Sequence, residues 1–270
     1  IIINKIGEKR NSIMIHESMY IEITEQLLFA KKKYDRMDVS FLVKISSLDY
    51  GDRHRVIIVS FRKHYTEEKF NETLQLLRAN YGIMLSTIWN SLLICILPER
   101  MIMLDKIKEL YHFLEKQHGD LKLAGSTIKH NLEDSYIGLQ EATRTYDMID
   151  SMKKCDENIM FYEDLGIFGL LYDLNETTVF ETYYNGIFQN LWAYDEHNEG
   201  HLFETLECYF RNDCDKLKTA EELYIHENTL RYRLHQIEDV MDCNLKNVNT
   251  ITDIVTALKV RRMLQILDKV

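Results

Sequence analysis

The sequence predicts an α+β protein in two parts: an α/β domain built on a mixed sheet, then an all-α domain that closes the chain. Three observations carry this. From about Val39 to Asp173, short β-branched or apolar runs alternate with stretches of helical period. From Asn175 onward the apolar segments read as helices. Within that last part, residues 216–237 lay out as two short helices joined by a tight turn, apolar on one side and polar on the other. The division expected is 1–38 for an N-terminal helix or connector, 39–174 for the α/β domain and 175–270 for a connector helix and the helical domain.

The elements follow in order. Met19 to about Tyr34 reads as a helix carrying Ile21, Ile23, Leu27 and Leu28. It closes on the basic run Lys31–Lys33, which suits a helix end, and serves as a connector or part of a dimer seam. Arg55–Phe61 is a buried strand by its β-branched run. Thr66 caps a helix over 67–80, with Phe70, Leu74 and Leu77 on the inner face and Gly82 as its stop. Residues 83–89 and 92–97 flank Asn90-Ser91 as a hairpin. Pro98 opens a helix near its first position, with Leu104, Ile107, Tyr111 and Leu114 at core spacing and Gly119 at the end. Residues 121–124 form a strand, 132–149 a helix and 159–162 a last short strand. The resulting β-α-β-β-α-β-α-β order suits an antiparallel or mixed sheet with helices packed on it. Residues 175–194 form a connector helix with Phe180, Tyr184, Ile187, Phe188 and Leu191 apolar, followed by the polar linker 195–200. A final helix over 252–266, with Ile254, Val255, Leu258 and Leu264, covers the core of the helical domain.

Composition bounds the chemistry. The chain has 270 residues, 46% of them apolar, and a net charge of −10 from 33 basic and 43 acidic side chains. Such a protein is not drawn to nucleic acid as a whole, so any DNA contact rests on a local surface and on dimeric avidity. The longest apolar run, Leu92–Leu97, is strand-sized, so no membrane partner is expected. The five cysteines, Cys95, Cys155, Cys208, Cys214 and Cys243, lack metal-ligand spacing and read as free thiols of a reducing cytoplasm. There is no Gly-rich phosphate loop, nucleophile elbow or HExxH. Neither catalytic residues nor a metal or cofactor are therefore expected. The chain opens at Ile1 rather than Met and no signal peptide is visible, so it is read as a fragment whose N-terminal sensing part is missing.

The helix pair carries the candidate site. On the second helix Leu230, Leu234 and Ile237 share a buried stripe, and Asn228, Arg231, Tyr232 and His235 lie opposite. Asn pairs with an adenine edge and Arg with a guanine edge; all four are expected to face bases, with phosphate hydrogen bonds as the alternative for Tyr232 and His235. Lys218, Thr219, Thr229 and Arg233 are expected to hold phosphates, with an intramolecular ion pair as the alternative for Arg233. Leu217, Ala220 and Leu223 make the inward stripe of the first helix, and Ile225 plugs the crossing. Glu227 sits beside the reading face, and no basic excess accompanies the region from Leu202 onward. Tyr224 stands in the turn where many such units use Gly; a positive φ there costs about 1 kcal/mol.

The run from Leu191 to Phe210, then Thr219-Ala220, Leu223 and His226-Glu-Asn-Thr-Leu-Arg-Tyr-Arg-Leu234, closely resembles the C-terminal domain of the bacterial PucR/CdaR regulators of purine and sugar-diacid catabolism. The resemblance covers roughly the final third of the chain. It implies a cytoplasmic transcriptional regulator that binds double-stranded DNA as a homodimer, with a small-molecule effector sensed through a missing N-terminal domain. That family often carries a basic residue where this chain has Glu227. More weakly, Leu123-Ala-Gly-Ser126, the helix from Ser135 to Ala142 and Tyr162-Glu-Asp-Leu-Gly166 resemble the degenerate cyclase-like (GGDEF-like) domain of CdaR-type regulators. A working cyclase needs a Gly-Gly-(Asp/Glu)-Glu-Phe turn; here the hairpin turn is Asn90-Ser91, and Arg55–Phe61 offers no carboxylate for a metal. The protein is therefore expected not to be an enzyme. Two other readings stand beside this one: a signal-relay or ligand-binding module with a vestigial helix-turn-helix, and a remnant nucleotide-handling enzyme.

Overall fold

A computed structural model describes residues 17–30, 38, 40, 43, 50–51, 53–62, 66–150, 158–174, 177–198 and 200–267. Lys31–Lys33 and Cys155 lie outside them. The chain forms two compact units, Ile1–Gly169 and Leu170–Val270.

The first unit is built on five strands: β1 (Arg55–Phe61), β2 (Ser86–Trp89), β3 (Leu92–Leu97), β4 (Leu121–Gly125) and β5 (Ile159–Phe161). Their spatial order is β2-β3-β1-β4-β5. All neighbours are antiparallel except β4 and β5, so the sheet is mixed, as the element order predicts. Alternation along β1 decides the two cores. Ile57 and Val59 join Leu93, Cys95, Leu97, Leu121 and Leu123 on one face, while Val56 and Ile58 join Ile94 and Ile96 on the other. Helices α2 (Glu67–Tyr81) and α3 (Leu104–His118) cover the first face through Leu74, Leu77, Ile107, Leu110, Tyr111 and Leu114. Helices α1 (Glu17–Phe29) and α4 (Ser135–Met148) cover the second through Ile23, Leu27, Leu28 and Ala142. The N-terminal helix thus lays its apolar side on the sheet of its own unit.

Local signals explain several ends. Thr66 accepts the amide of Lys69 at 3.4 Å, and Gly82 at φ 62 closes α2. Asn90 and Ser91 take φ 49 and 63, the left-handed pair of a type I′ hairpin. Other ends differ from the sequence reading. Pro98 precedes only a 3₁₀ turn, Glu99–Met101, and α3 starts at Leu104 after an extended Met103. Leu104 is therefore exposed at the helix start and Leu110 takes its place in the core. The strand expected from Ile83 begins at Ser86, and the helix expected from Leu132 opens as 3₁₀ and turns α at Ser135.

A few polar groups of this unit are buried and paired. His54 is buried with Nε2 2.9 Å from the Ser135 hydroxyl, and its backbone pairs with Lys129. Lys129 Nζ lies 2.6 Å from Glu141, which also accepts the amide and hydroxyl of Thr127. Arg55 donates to Glu163 at 2.7 Å and stacks 4.3 Å over the Phe161 ring.

Helix α5 (Ile167–Leu174) crosses the division between units. The second unit holds α6 (Thr177–Asn198), α7 (Leu202–Arg211), α8 (Lys216–Glu222), α9 (Glu227–Met241) and α10 (Val248–Leu267). Its core joins Phe188, Leu191, Leu202, Leu206, Ala220, Leu230, Leu234, Ile237, Ile254 and Ala257. The polar linker expected over 195–200 is helical to Asn198. Asp195 turns forward from α6 and accepts the amides of Leu202 and Phe203, both at 2.9 Å, so its carboxylate caps α7. Gly200 is needed at this corner, because a Cβ would come within 2.5 Å of the same carboxylate.

Candidate nucleic-acid interface

The interface is assembled by caps. Asp215 accepts the amides of Leu217 and Lys218 and starts α8. That helix ends in a left-handed Tyr224, φ 55. The Tyr224 amide donates to Glu221 at 3.1 Å and the Ile225 amide to Ala220 at 3.0 Å, the bond pair of a Schellman turn. Ile225 then packs against the core, as expected. His226 starts α9, its Nδ1 accepting the amide of Asn228 at 3.2 Å. Glu227 occupies the first turn of α9, where a carboxylate complements the helix dipole. The sequence reading missed His226 as a cap; the signal was its place one residue before the periodic stretch. At the other end Asp242 closes α9 at φ 46, and Glu238 accepts the Leu245 amide at 2.9 Å.

The faces of α9 fall as its period predicts. Leu230, Leu234 and Ile237 are buried, and Asn228, Thr229, Arg231, Tyr232 and His235 are exposed. The side chains of Asn228, Arg231 and Tyr232 have no partner among the described residues, while His235 lies 3.3 Å from Glu238. Arg233 is half-buried and one of its five donors reaches the Thr205 hydroxyl at 3.1 Å, so its internal partner is a hydroxyl and not the carboxylate of an ion pair. Thr219, expected at a phosphate, is fully buried and its hydroxyl donates to the Asp215 carbonyl at 2.5 Å. Leu217, expected inward, is 55% exposed. Both follow from the short α8 turning Thr219 and Ala220 to the core together, which leaves Leu217 on the flank. Lys218 is exposed, its ammonium 3.9 Å from Asp215. The structure thus gathers Asn228, Thr229, Arg231, Tyr232 and His235 on one helix with Lys218 on its neighbour, buries Thr219, and leaves Arg233 half-exposed at the edge of the core.

The helical unit also holds three thiols. Cys208, Cys214 and Cys243 are free, and burial pushes each thiol above its ordinary range. No group of side chains suited to a metal ion exists among the described residues, and none of the described helices is long and apolar enough to cross a membrane.

A capped helix pair joined by a Schellman turn, with a polar outward face on the second helix, defines a helix-turn-helix domain. More particularly, residues 202–260 match the PucR C-terminal helix-turn-helix domain. The chain is 27% identical over 218 residues to the DNA-binding transcriptional activator AdeR of Bacillus subtilis (strain 168), covering 77% of this chain and 51% of AdeR. It is 38% identical over 95 residues to the proline-responsive transcriptional activator PutR of the same organism, covering 35% of this chain and 23% of PutR. Over 82 residues it is 33% identical to the purine catabolism regulatory protein of that organism, covering 30% of this chain and 15% of that protein. The chain therefore spans about half the length of AdeR and less of the other two.

Proposed function

We propose that this chain is part of a transcriptional regulator that binds duplex DNA sequence-specifically through α9. The observation that carries this is the outward face of that helix. Asn228, Arg231 and Tyr232 stand exposed and without protein partners, on a domain matched to the PucR C-terminal helix-turn-helix. Asn228, Arg231, Tyr232 and His235 face base edges, and Lys218 and Thr229 hold phosphates. The net charge of −10 opposes DNA at long range, so two copies act together, setting their recognition helices about one DNA turn apart. Residues 39–174 act as a GGDEF-like relay or dimerisation domain without catalysis, and a metabolic signal arrives as a small-molecule effector. The setting is the cytoplasm, where such a regulator meets its DNA.

In a gel-shift titration, binding should fall steeply with added salt. Arg231→Ala should weaken binding to a preferred duplex by about 1–3 kcal/mol and relax sequence preference. Parent-like binding by that variant to preferred and random DNA overturns the assignment of Arg231. The acidic balance of residues 202–260 favours a second reading, an interaction module with a vestigial helix pair. Absence of DNA binding at low salt selects it.

A further inference from the structure

The turn that joins α8 to α9 holds a side chain the fold does not use. Tyr224 sits at φ 55, where every residue but Gly is strained. The turn is closed by main-chain bonds alone, from the Tyr224 amide to Glu221 and from the Ile225 amide to Ala220. The ring returns nothing to the core: Tyr224 is 95% exposed, the most exposed large apolar side chain among the described residues. The Schellman stop accounts for the left-handed backbone, but it does not account for an exposed tyrosine where glycine costs least. Its place in the chain points to a function. Tyr224 lies two residues before His226, the cap of α9, and four before Asn228, the first of the outward polar residues. This is the N-terminal end of the recognition helix, the end that approaches base edges and their flanking backbone. Leu217 and Tyr232, on the two helices the turn connects, are exposed as well.

We infer that Tyr224 is a DNA-backbone contact, its ring against a deoxyribose and its hydroxyl donating to a phosphate oxygen. The inference rests on the DNA-binding reading above and adds a residue to it. A phosphate contact carries no sequence information, so it acts equally on any duplex.

The test uses the full chain and two duplexes of equal length and unrelated sequence, with fluorescence anisotropy at low salt and a thermal melt of each variant. Tyr224→Gly should weaken binding about tenfold on both duplexes, the loss of one charge-assisted hydrogen bond and its ring contact. It should also raise the melting temperature of the helical unit by about 4–8 °C, since the left-handed residue is relieved. Tyr224→Phe should melt like the parent and bind about three- to fivefold more weakly. Parent-like binding by both variants overturns the inference while leaving DNA binding in place. A lower melting temperature for Tyr224→Gly overturns it too, because the tyrosine then holds the turn. Loss on one duplex alone replaces backbone contact with base reading and overturns the assignment made here. A parent that binds neither duplex removes the DNA-binding reading, and this inference with it.

Discussion

In the sheet unit three polar pairs close on one another, whereas on α9 three polar side chains face out unmatched among the described residues. His54 meets Ser135, Lys129 meets Glu141 and Arg55 meets Glu163 and the Phe161 ring, all at the margins of a two-faced core. On α9 the side chains of Asn228, Arg231 and Tyr232 meet no group among the described residues. The helical unit has ion pairs of its own, Arg211–Glu222 at 2.7 Å and Arg261–Glu207 at 3.4 Å, so the contrast lies between such pairs in either unit and the outward face of α9. Buried pairs fix geometry and are costly to break, because removing one partner strands the other. Exposed unpaired groups contribute little to stability and are free to be matched by a ligand.

The largest blow to the comparison is a core deletion in the helical unit. Leu230 is fully buried beneath the outward face of α9. Leu230→Ala should destabilise that unit by about 3–5 kcal/mol. Thermal unfolding should then show one transition moved down and a second, from the sheet unit, in place. A single transition lowered as a whole would break the picture of two separate cores.

The next effect belongs to the sheet unit and is read with pH. Burial first, and then the Lys129 ammonium, push His54 down to about 4 from the ordinary 6.5. The unfolded chain takes up the proton near 6.5 and the folded chain only near 4, so unfolding gains as pH falls through that window. The loss should reach about 3 kcal/mol at pH 4 and be absent above pH 7. His118 is pushed down likewise, by burial and then by Lys69. In denaturant titrations between pH 4 and 7, His54→Gln should remove most of this slope. An unchanged slope in the variant would mean that His54 is not held neutral by its surroundings.

What the sequence disclosed divides along the same physical line. Features set by a few neighbouring residues were legible. The Thr66 cap, the Gly82 stop, the Asn90-Ser91 hairpin and the buried stripe of α9 all stand where local rules put them. Features set by what a side chain reaches across the chain were not. Asp195 looks like linker chemistry, yet it caps α7 seven residues away while α6 runs on past it. Thr219 looks like a surface hydroxyl, yet tertiary packing buries it, and its hydroxyl falls back on the Asp215 carbonyl one turn earlier. Leu217 looks like core, yet α8 has only seven residues, too short for periodicity to fix which side faces inward. Of the candidate site, the outward residues of α9 were readable from their angles. The burial of Thr219 was not, because a seven-residue helix leaves its inward side to tertiary packing; an internal partner for Arg233 was one of the two readings, but Thr205, 28 residues away, was not named by it.

The central claim is that α9 of this chain reads DNA sequence. It is tested most directly by selection from a random duplex pool, run in parallel with the parent chain and with Arg231→Ala. The account predicts an enriched motif for the parent and the same motif with one position relaxed for the variant. A pool that stays random with the parent, or a motif that the variant reproduces unchanged, would contradict it.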